Sequence, residues 1–268
     1  MSTAAPTREL KRRQFMHHAH AIGFTGHITL PFQQLIETQA SCALPASGGY
    51  ASSRVDDFRL KDIVTCKAAY TNLTGSYSDK DNAYFTVTTS TLEGLDILGL
   101  VKIGKLTGRI MCKHPYVELG TEAARTTEPS IIPLGSSYED VVIAGHPVRV
   151  VLNAGKAVQL DKYSDFRRDA AKTFTNVYFD EADPAGPVYC SLVDHFEFDQ
   201  TAAPELKVVA PHAIELDHFG VIKFAEFVVN PKSRRITMLH VDLGCGTEGD
   251  MSFGIGEGNG SNGPPPNP

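Results

Sequence analysis

The chain has 268 residues, of which 42% are hydrophobic and 21% charged, and it carries a formal net charge of −6. That length supports a large core without disulfides or a structural metal. The acidic balance argues against a basic nucleic-acid face, and no apolar run reaches the roughly 18 residues of a membrane-spanning helix, so neither a nucleic-acid partner nor an integral membrane segment is expected.

In chain order, the first element is a basic arm, residues 1–15. Arg8, Lys11, Arg12 and Arg13 stand against Glu9, a charge of +3. Lys11-Arg12-Arg13-Gln14-Phe15-Met16 looks like a twin-arginine export signal, and no further Lys, Arg, Asp or Glu follows until Glu37. Four histidines and two glycines then interrupt the apolar stretch such a signal needs. Cytoplasmic residence is therefore expected from the lack of a clear signal peptide, with export as the alternative.

Residues 16–250 read as one β-rich domain. Period-2 alternation begins at Ala21–Leu30, with a shift of face expected at Gly26. It returns at 63–70, where Val64, Cys66, Ala68 and Tyr70 are expected on one face, then at 83–92, 102–112, 141–152, 188–198, 219–229 and 235–243. Ala144-Gly145-His146-Pro147 and Asn230-Pro231-Lys232-Ser233 are turn signals, and the second predicts a hairpin. One amphipathic helix is expected around Tyr163, Phe166, Ala170 and Phe174, capped by Asp161 or Ser164. Strands do not alternate with long helices, so the predicted class is all-β, an antiparallel β-sandwich or barrel with one short amphipathic helix. Residues 251–268, rich in Gly, Asn and Pro, are predicted to be a flexible tail.

A faint repeat links Leu92-Glu93-Gly94-Leu95-Asp96-Ile97-Leu98-Gly99 to Tyr138-Glu139-Asp140-Val141-Val142-Ile143-Ala144-Gly145. Two copies are too few for a solenoid and predict two similar bent hairpin elements with Gly at the kink. The stretch Thr91–Leu152, with Gly94-Leu95-Asp96-Ile97 and Ile143-Ala144-Gly145-His146-Pro147-Val148, resembles bacterial "choice-of-anchor" β-rich surface proteins. The resemblance implies a non-enzymatic surface or structural role and brings no catalytic residues.

Several motifs invite chemistry. Val241-Asp242-Leu243-Gly244-Cys245-Gly246-Thr247-Glu248-Gly249 matches a nucleotide-binding glycine pattern. That pattern needs a following helix and an acidic residue about 20 positions on. The Gly-rich remainder supplies neither, so a Gly-rich exit from the last strand is predicted and no cofactor is expected. The five cysteines are scattered and form no C-x-x-C pair, so free thiols are expected. His18, His20 and His27 are the candidate metal ligands: His18 and His20, two apart on a strand, share a face, and His27 joins them if the chain bends at the Gly23/Gly26 region. His195 and Glu197 could form a base and its orienter, but Ser191 lies too far along the strand to be their nucleophile. Paired glycosidase-type carboxylates have no sequence signature.

No catalytic set emerges. The expected function is a non-catalytic structural or assembly protein, a subunit of a homo-oligomer or filament joined through sheet edges and terminal arms. The alternatives are a metal-dependent enzyme or metal-binding protein centred on His18, His20 and His27, and a carbohydrate-binding β-sandwich using Tyr50, Tyr70, Tyr77 or Tyr84 to stack a small-molecule or glycan ligand.

Overall fold

The computed structural model describes residues 15–118, 121, 127–174 and 176–262. The arm therefore lies, apart from Phe15, outside the described residues. The chain is overwhelmingly antiparallel β-structure, as its alternation predicts. The strands are β1 (Phe15–Leu30), β2 (Gln34–Gln39), β3 (Cys42–Ala43), β4 (Gly49–Leu60), β5 (Val64–Ser78), β6 (Ala83–Ile97), β7 (Val101–Pro115), β8 (Ser130–Ile132), β9 (Ser137–Ile143), β10 (His146–Pro147) and β11 (Arg149–Leu152). After α1 (Ala154–Gln159) and α2 (Tyr163–Thr173) follow β12 (Val188–Ser191), β13 (Val193–Glu197), β14 (Leu206–Ala210), β15 (Ala213–Leu216), β16 (Gly220–Val229), β17 (Ser233–Cys245) and β18 (Thr247–Asn262).

Two large sheets form a sandwich-like pair. One runs β14-β15-β16-β17-β18-β1-β2, with β12 on β16 and β3 on β1; the other runs β10-β9-β7-β6-β5-β4, with β8 on β7. β11 and β13 make a separate two-stranded ribbon. The inner faces meet in a large apolar core that includes Phe24, Leu92, Leu106, Phe224 and Phe253, beside a small second cluster of Ala19, Ala21, Leu44 and Leu73.

The expected helix is α2, which buries Tyr163, Phe166 and Ala170. Its N-cap is Lys162, without a side-chain bond; instead the Ser164 N–H and hydroxyl donate to Glu128 at 3.1 and 2.9 Å. A carboxylate brought from elsewhere in the chain thus serves the exposed N–H groups and the positive end of the helix dipole. α1 was not expected: it is short, and its cap is Asn153, whose side chain accepts from Lys156 N.

Both sheets are crossed by a crease. In the second sheet the register skips Asp57, Lys67, Gly94, Gly104 and Asp140, one on each of five adjacent strands. Asp57, Gly94 and Asp140, on alternate strands, have φ of 51°, 62° and 52°. The first sheet repeats the device at Ala225, Met238, Gly254 and Gly23, running on to Ala40, with φ of 47°, 64° and 49° at Ala225, Gly254 and Ala40. A left-handed residue within a strand reverses which parity faces inward. In β1 the buried set runs 15, 17, 19, 21, 23 and then 24, 26, 28. The shift falls at Gly23/Phe24, not at Gly26. In β5 the reversal at Lys67 puts Ala68 and Tyr70 on the face opposite Val64 and Cys66, so the four do not share one face.

The faint repeat has this origin. Gly94 and Asp140 are the crease residues of β6 and β9, and the tight turns Leu98-Gly99 and Ala144-Gly145 follow at the same offset, all at positive φ. Asp57 and Lys61, also at positive φ, form a third copy without glycine.

The tail prediction is corrected over residues 251–262. They continue β18, paired with β1 from Glu248 to Asn262 and with β17 from Thr247 to Asn259. Likewise Gly244–Gly249 is a hairpin between two strands and not the end of the sheet. Gly254, Gly256, Gly258 and Gly260 all face inward. A β-carbon on Gly256 would lie 3.2 Å from Thr88 Cγ2, and one on Gly260 would lie 2.2 Å from Phe15 Cζ. The alternation is present, but its inward member is glycine, because the opposing sheet, and at Gly260 the Phe15 ring of neighbouring β1, fills the space. Small hydroxyls complete this seam: Ser90 donates to Ile22 O at 2.8 Å and Thr88 to Glu257 O at 3.3 Å.

Candidate binding cleft on the outer face of the larger sheet

The crease also builds the most organised polar site among the described residues. On β16 and β17 it falls at Ala225 and Met238. Strict alternation would put Arg235 and Thr237 outward but bury His240 and Asp242. The reversal turns all four to the outer face, beside Lys223 and Glu226 of β16.

His240 lies between two carboxylates, with Nδ1 3.0 Å from Glu226 Oε2 and Nε2 3.1 Å from Asp242 Oδ1. Lys223 Nζ sits 2.7 Å from Asp242 Oδ2. The Glu226 hydrogen bond, working against burial, raises the His240 imidazole. Burial works to raise the Glu226 carboxyl, but the His240 hydrogen bond and charge outweigh it and hold Glu226 below its ordinary value. The pair is thus mutually charged.

The opposite wall is aromatic. Tyr178 and Tyr189 exchange both backbone hydrogen bonds, at 2.9 and 2.8 Å. The two residues are 69% and 45% exposed, and their rings are 6.2 Å apart and inclined by 38°. Asn176 Nδ2 donates to His212 Nδ1 at 2.8 Å, which leaves the imidazole proton on Nε2. Burial lowers the His212 imidazole, which favours that neutral form. Tyr178, Tyr189, His212, Glu226, Arg235 and His240 line a cleft of about 290 Å³.

Two of the cleft's groups bear on its chemistry. Its thiol, Cys190, is driven by burial up to about 12 and donates to Phe227 O, so it is no nucleophile near neutrality. A glycosidase acid needs a raised carboxyl; Glu226 is lowered.

The sequence-predicted residues lie elsewhere. His18, His20 and His27 do share the outer face of β1, the last because of the parity reversal. His18 Nε2 bonds Ser261 Oγ at 3.1 Å, His20 is 3.9 Å from Glu257, and His27 pairs in register with Asp250. His20 and His27 stand about 23 Å apart along the strand. Among the described residues no three His, Cys, Asp or Glu side chains gather so as to hold a metal ion. His195 bonds both Asp194 (2.9 Å) and Glu197 (3.2 Å), and Arg149 and Lys156 join this exposed ion network. Ser191 is turned away, donating to Phe224 O. Of the tyrosines read as stacking surfaces, Tyr84 is buried against Phe15, with centroids 4.2 Å apart, and Tyr70 is tied to Glu93. Tyr50 and Tyr77 are tied through their hydroxyls to Asn72 and Asn82. The sequence holds no short-range signal for the exposed Tyr178–Tyr189 pair, which a two-bond bridge between separate segments brings together.

Fold and site define an all-β protein with an open polar and aromatic cleft on one sheet. A family model described as Domain of unknown function (DUF8256) matches residues 15–163, more than half of the chain, and the chain belongs to that family. The cleft lies C-terminal to the matched segment. No curated protein and no solved structure matches the chain.

Proposed function

We propose that this is a non-catalytic binding protein and that the cleft between β12, β16 and β17 takes a carbohydrate. The observation that carries the reading is the Tyr178–Tyr189 pair. Two exposed rings held by a backbone bridge offer apolar faces to the C–H surface of a sugar at little entropic cost. Asn176, His212, Glu226 and His240 supply hydrogen-bonding groups beside them, the mix of apolar wall and few polar groups that small-ligand sites use. Calorimetric titration with a panel of oligosaccharides tests it. Binding by the wild type that Tyr189→Ala weakens supports the reading; no heat from any member of the panel overturns it.

A second reading, self-assembly through edges and arms, has its own support. Phe15 and Asn262 pair in register at one end of the sheet. Residues 1–13 carry +3 against −6 for the whole chain, leaving −9 on the remainder, a complement that favours contact with a second copy. β4, at one end of its sheet, has no buried residue. Its Arg54, Asp56, Asp57 and Arg59 are the charges by which edges resist unlimited pairing, so closed oligomers fit better than filaments. Particle mass in solution, with and without residues 1–13, tests this. A mass above 29.1 kDa that falls on truncation supports it; a monomer in both cases removes it.

A further inference from the structure

We infer that the sugar bound in this cleft bears a carboxylate, as a uronic acid does, and that Arg235 receives it. This rests on the binding reading above and goes beyond it by fixing the ligand's charge. Arg235 stands in one row with the aromatic wall: Tyr189 pairs with Val228, and Val228 with Arg235. The other charges of the cleft are matched. Glu226 and Asp242 flank His240, and Asp242 also holds Lys223. Arg235's cross-strand neighbour on β18 is Glu257, whose carboxylate stands 3.9 Å from His20. Among the described residues the Arg235 guanidinium has no ion pair or side-chain hydrogen bond, and it lines the cleft.

An unmatched guanidinium beside two tyrosine rings selects an anion on a ring-shaped ligand. Its planar fork meets the two oxygens of a carboxylate with two parallel N–H···O bonds, and the more basic carboxylate oxygens accept them more strongly than the oxygens of a sulfate ester. A neutral sugar would leave the charge unanswered. The matched carboxylates Glu226 and Asp242 stay paired and do not repel the ligand.

Titration of the intact protein with three probes tests this: a glucuronic-acid-containing disaccharide, its neutral glucose counterpart, and a sulfated glucose. The uronate is expected to bind about tenfold tighter than the neutral sugar, with an affinity that falls as salt rises. Arg235→Gln is expected to erase that preference, so that the uronate binds no tighter than the neutral sugar, and Arg235→Lys to restore part of it. Arg235 is exposed, so the variants should fold, which circular dichroism checks. Equal affinity for uronate and neutral sugar, a preference that survives Arg235→Gln, or tighter binding of the sulfate ester each overturns the inference while leaving the binding reading standing. Failure of all three probes, together with the wider panel, overturns both.

Discussion

Gly258 of β18 and Cys112 of β7 face each other across the two sheets so closely that a β-carbon on the glycine would lie 2.3 Å from the thiol sulfur. Both are buried, and the Cys112 thiol is driven by burial up to about 12. Gly258→Ala should therefore destabilise the fold by about 1–3 kcal/mol through overpacking. In a Cys112→Ala background the same change should cost much less, because the sulfur it meets is gone. Denaturant unfolding of the four proteins measures the coupling; additive effects would contradict the contact.

That contact also shows what the sequence could and could not reveal. Strands such as β6, β7 and β16 are legible because their inward residues are apolar or β-branched. In β18 the inward residues are Gly254, Gly256, Gly258 and Gly260, so composition points to disorder although the period is 2. What decides its structure is a partner sheet that demands glycine, a tertiary fact. The cleft is hidden for a related reason: reversal of parity at Ala225 and Met238 places His240 outward, and neither residue type announces a left-handed or skipped position. The paired strands around the Asn230–Ser233 turn were legible; the residues they present were not.

Asp140 holds φ at 52° with a full side chain, whereas its equivalent on β6, Gly94, meets the same requirement as glycine. Asp140→Gly should stabilise by a few tenths of a kcal/mol up to about 1, since glycine adopts this region without strain. Gly94→Ala should destabilise by about 1–3 kcal/mol, since its β-carbon would also lie 2.9 Å from Lys67 Cβ. Gly99→Ala, at a similar φ of 72° but with open space around it, should cost less. Melting curves of the three variants rank the effects.

His17 and His114 flank Phe15, with centroids 4.8 and 5.0 Å from its ring, and burial lowers both imidazoles to about 4. His17 Nδ1 bonds Thr86 Oγ1 at 2.8 Å, while His114 Nε2 has no partner among the described residues. A depressed folded value favours the neutral ring. The stability this contributes is complete above about 6.5, declines as pH falls, and is gone below about 4. Unfolding free energy should thus drop by a few kcal/mol between pH 7 and pH 4, and His114→Phe should flatten part of that slope. An unchanged slope would show that other groups drive acid unfolding.

The Glu226–His240 pair has the opposite sense for its base. His240 is raised, so its contribution is full below about 6.5 and is lost as pH climbs through the folded value; Glu226 is lowered, so its share is lost as pH falls below about 4.5. Between these limits the two hold each other charged. Glu226→Gln should bring the His240 titration, followed by NMR, back down, because the charge of its closer partner is gone; a midpoint that stays put would show that Asp242 alone sets it.

Chemical-shift mapping on isotope-labelled protein tests the central claim most directly. Addition of a binding oligosaccharide should shift resonances of Tyr178, Tyr189, His212, Arg235 and His240 together, with saturation at one stoichiometric equivalent, and leave the β4 edge unmoved. Shifts confined to β4 or to the Phe15–Asn262 end, with the tyrosine pair silent, would contradict the assignment of this cleft as the binding site.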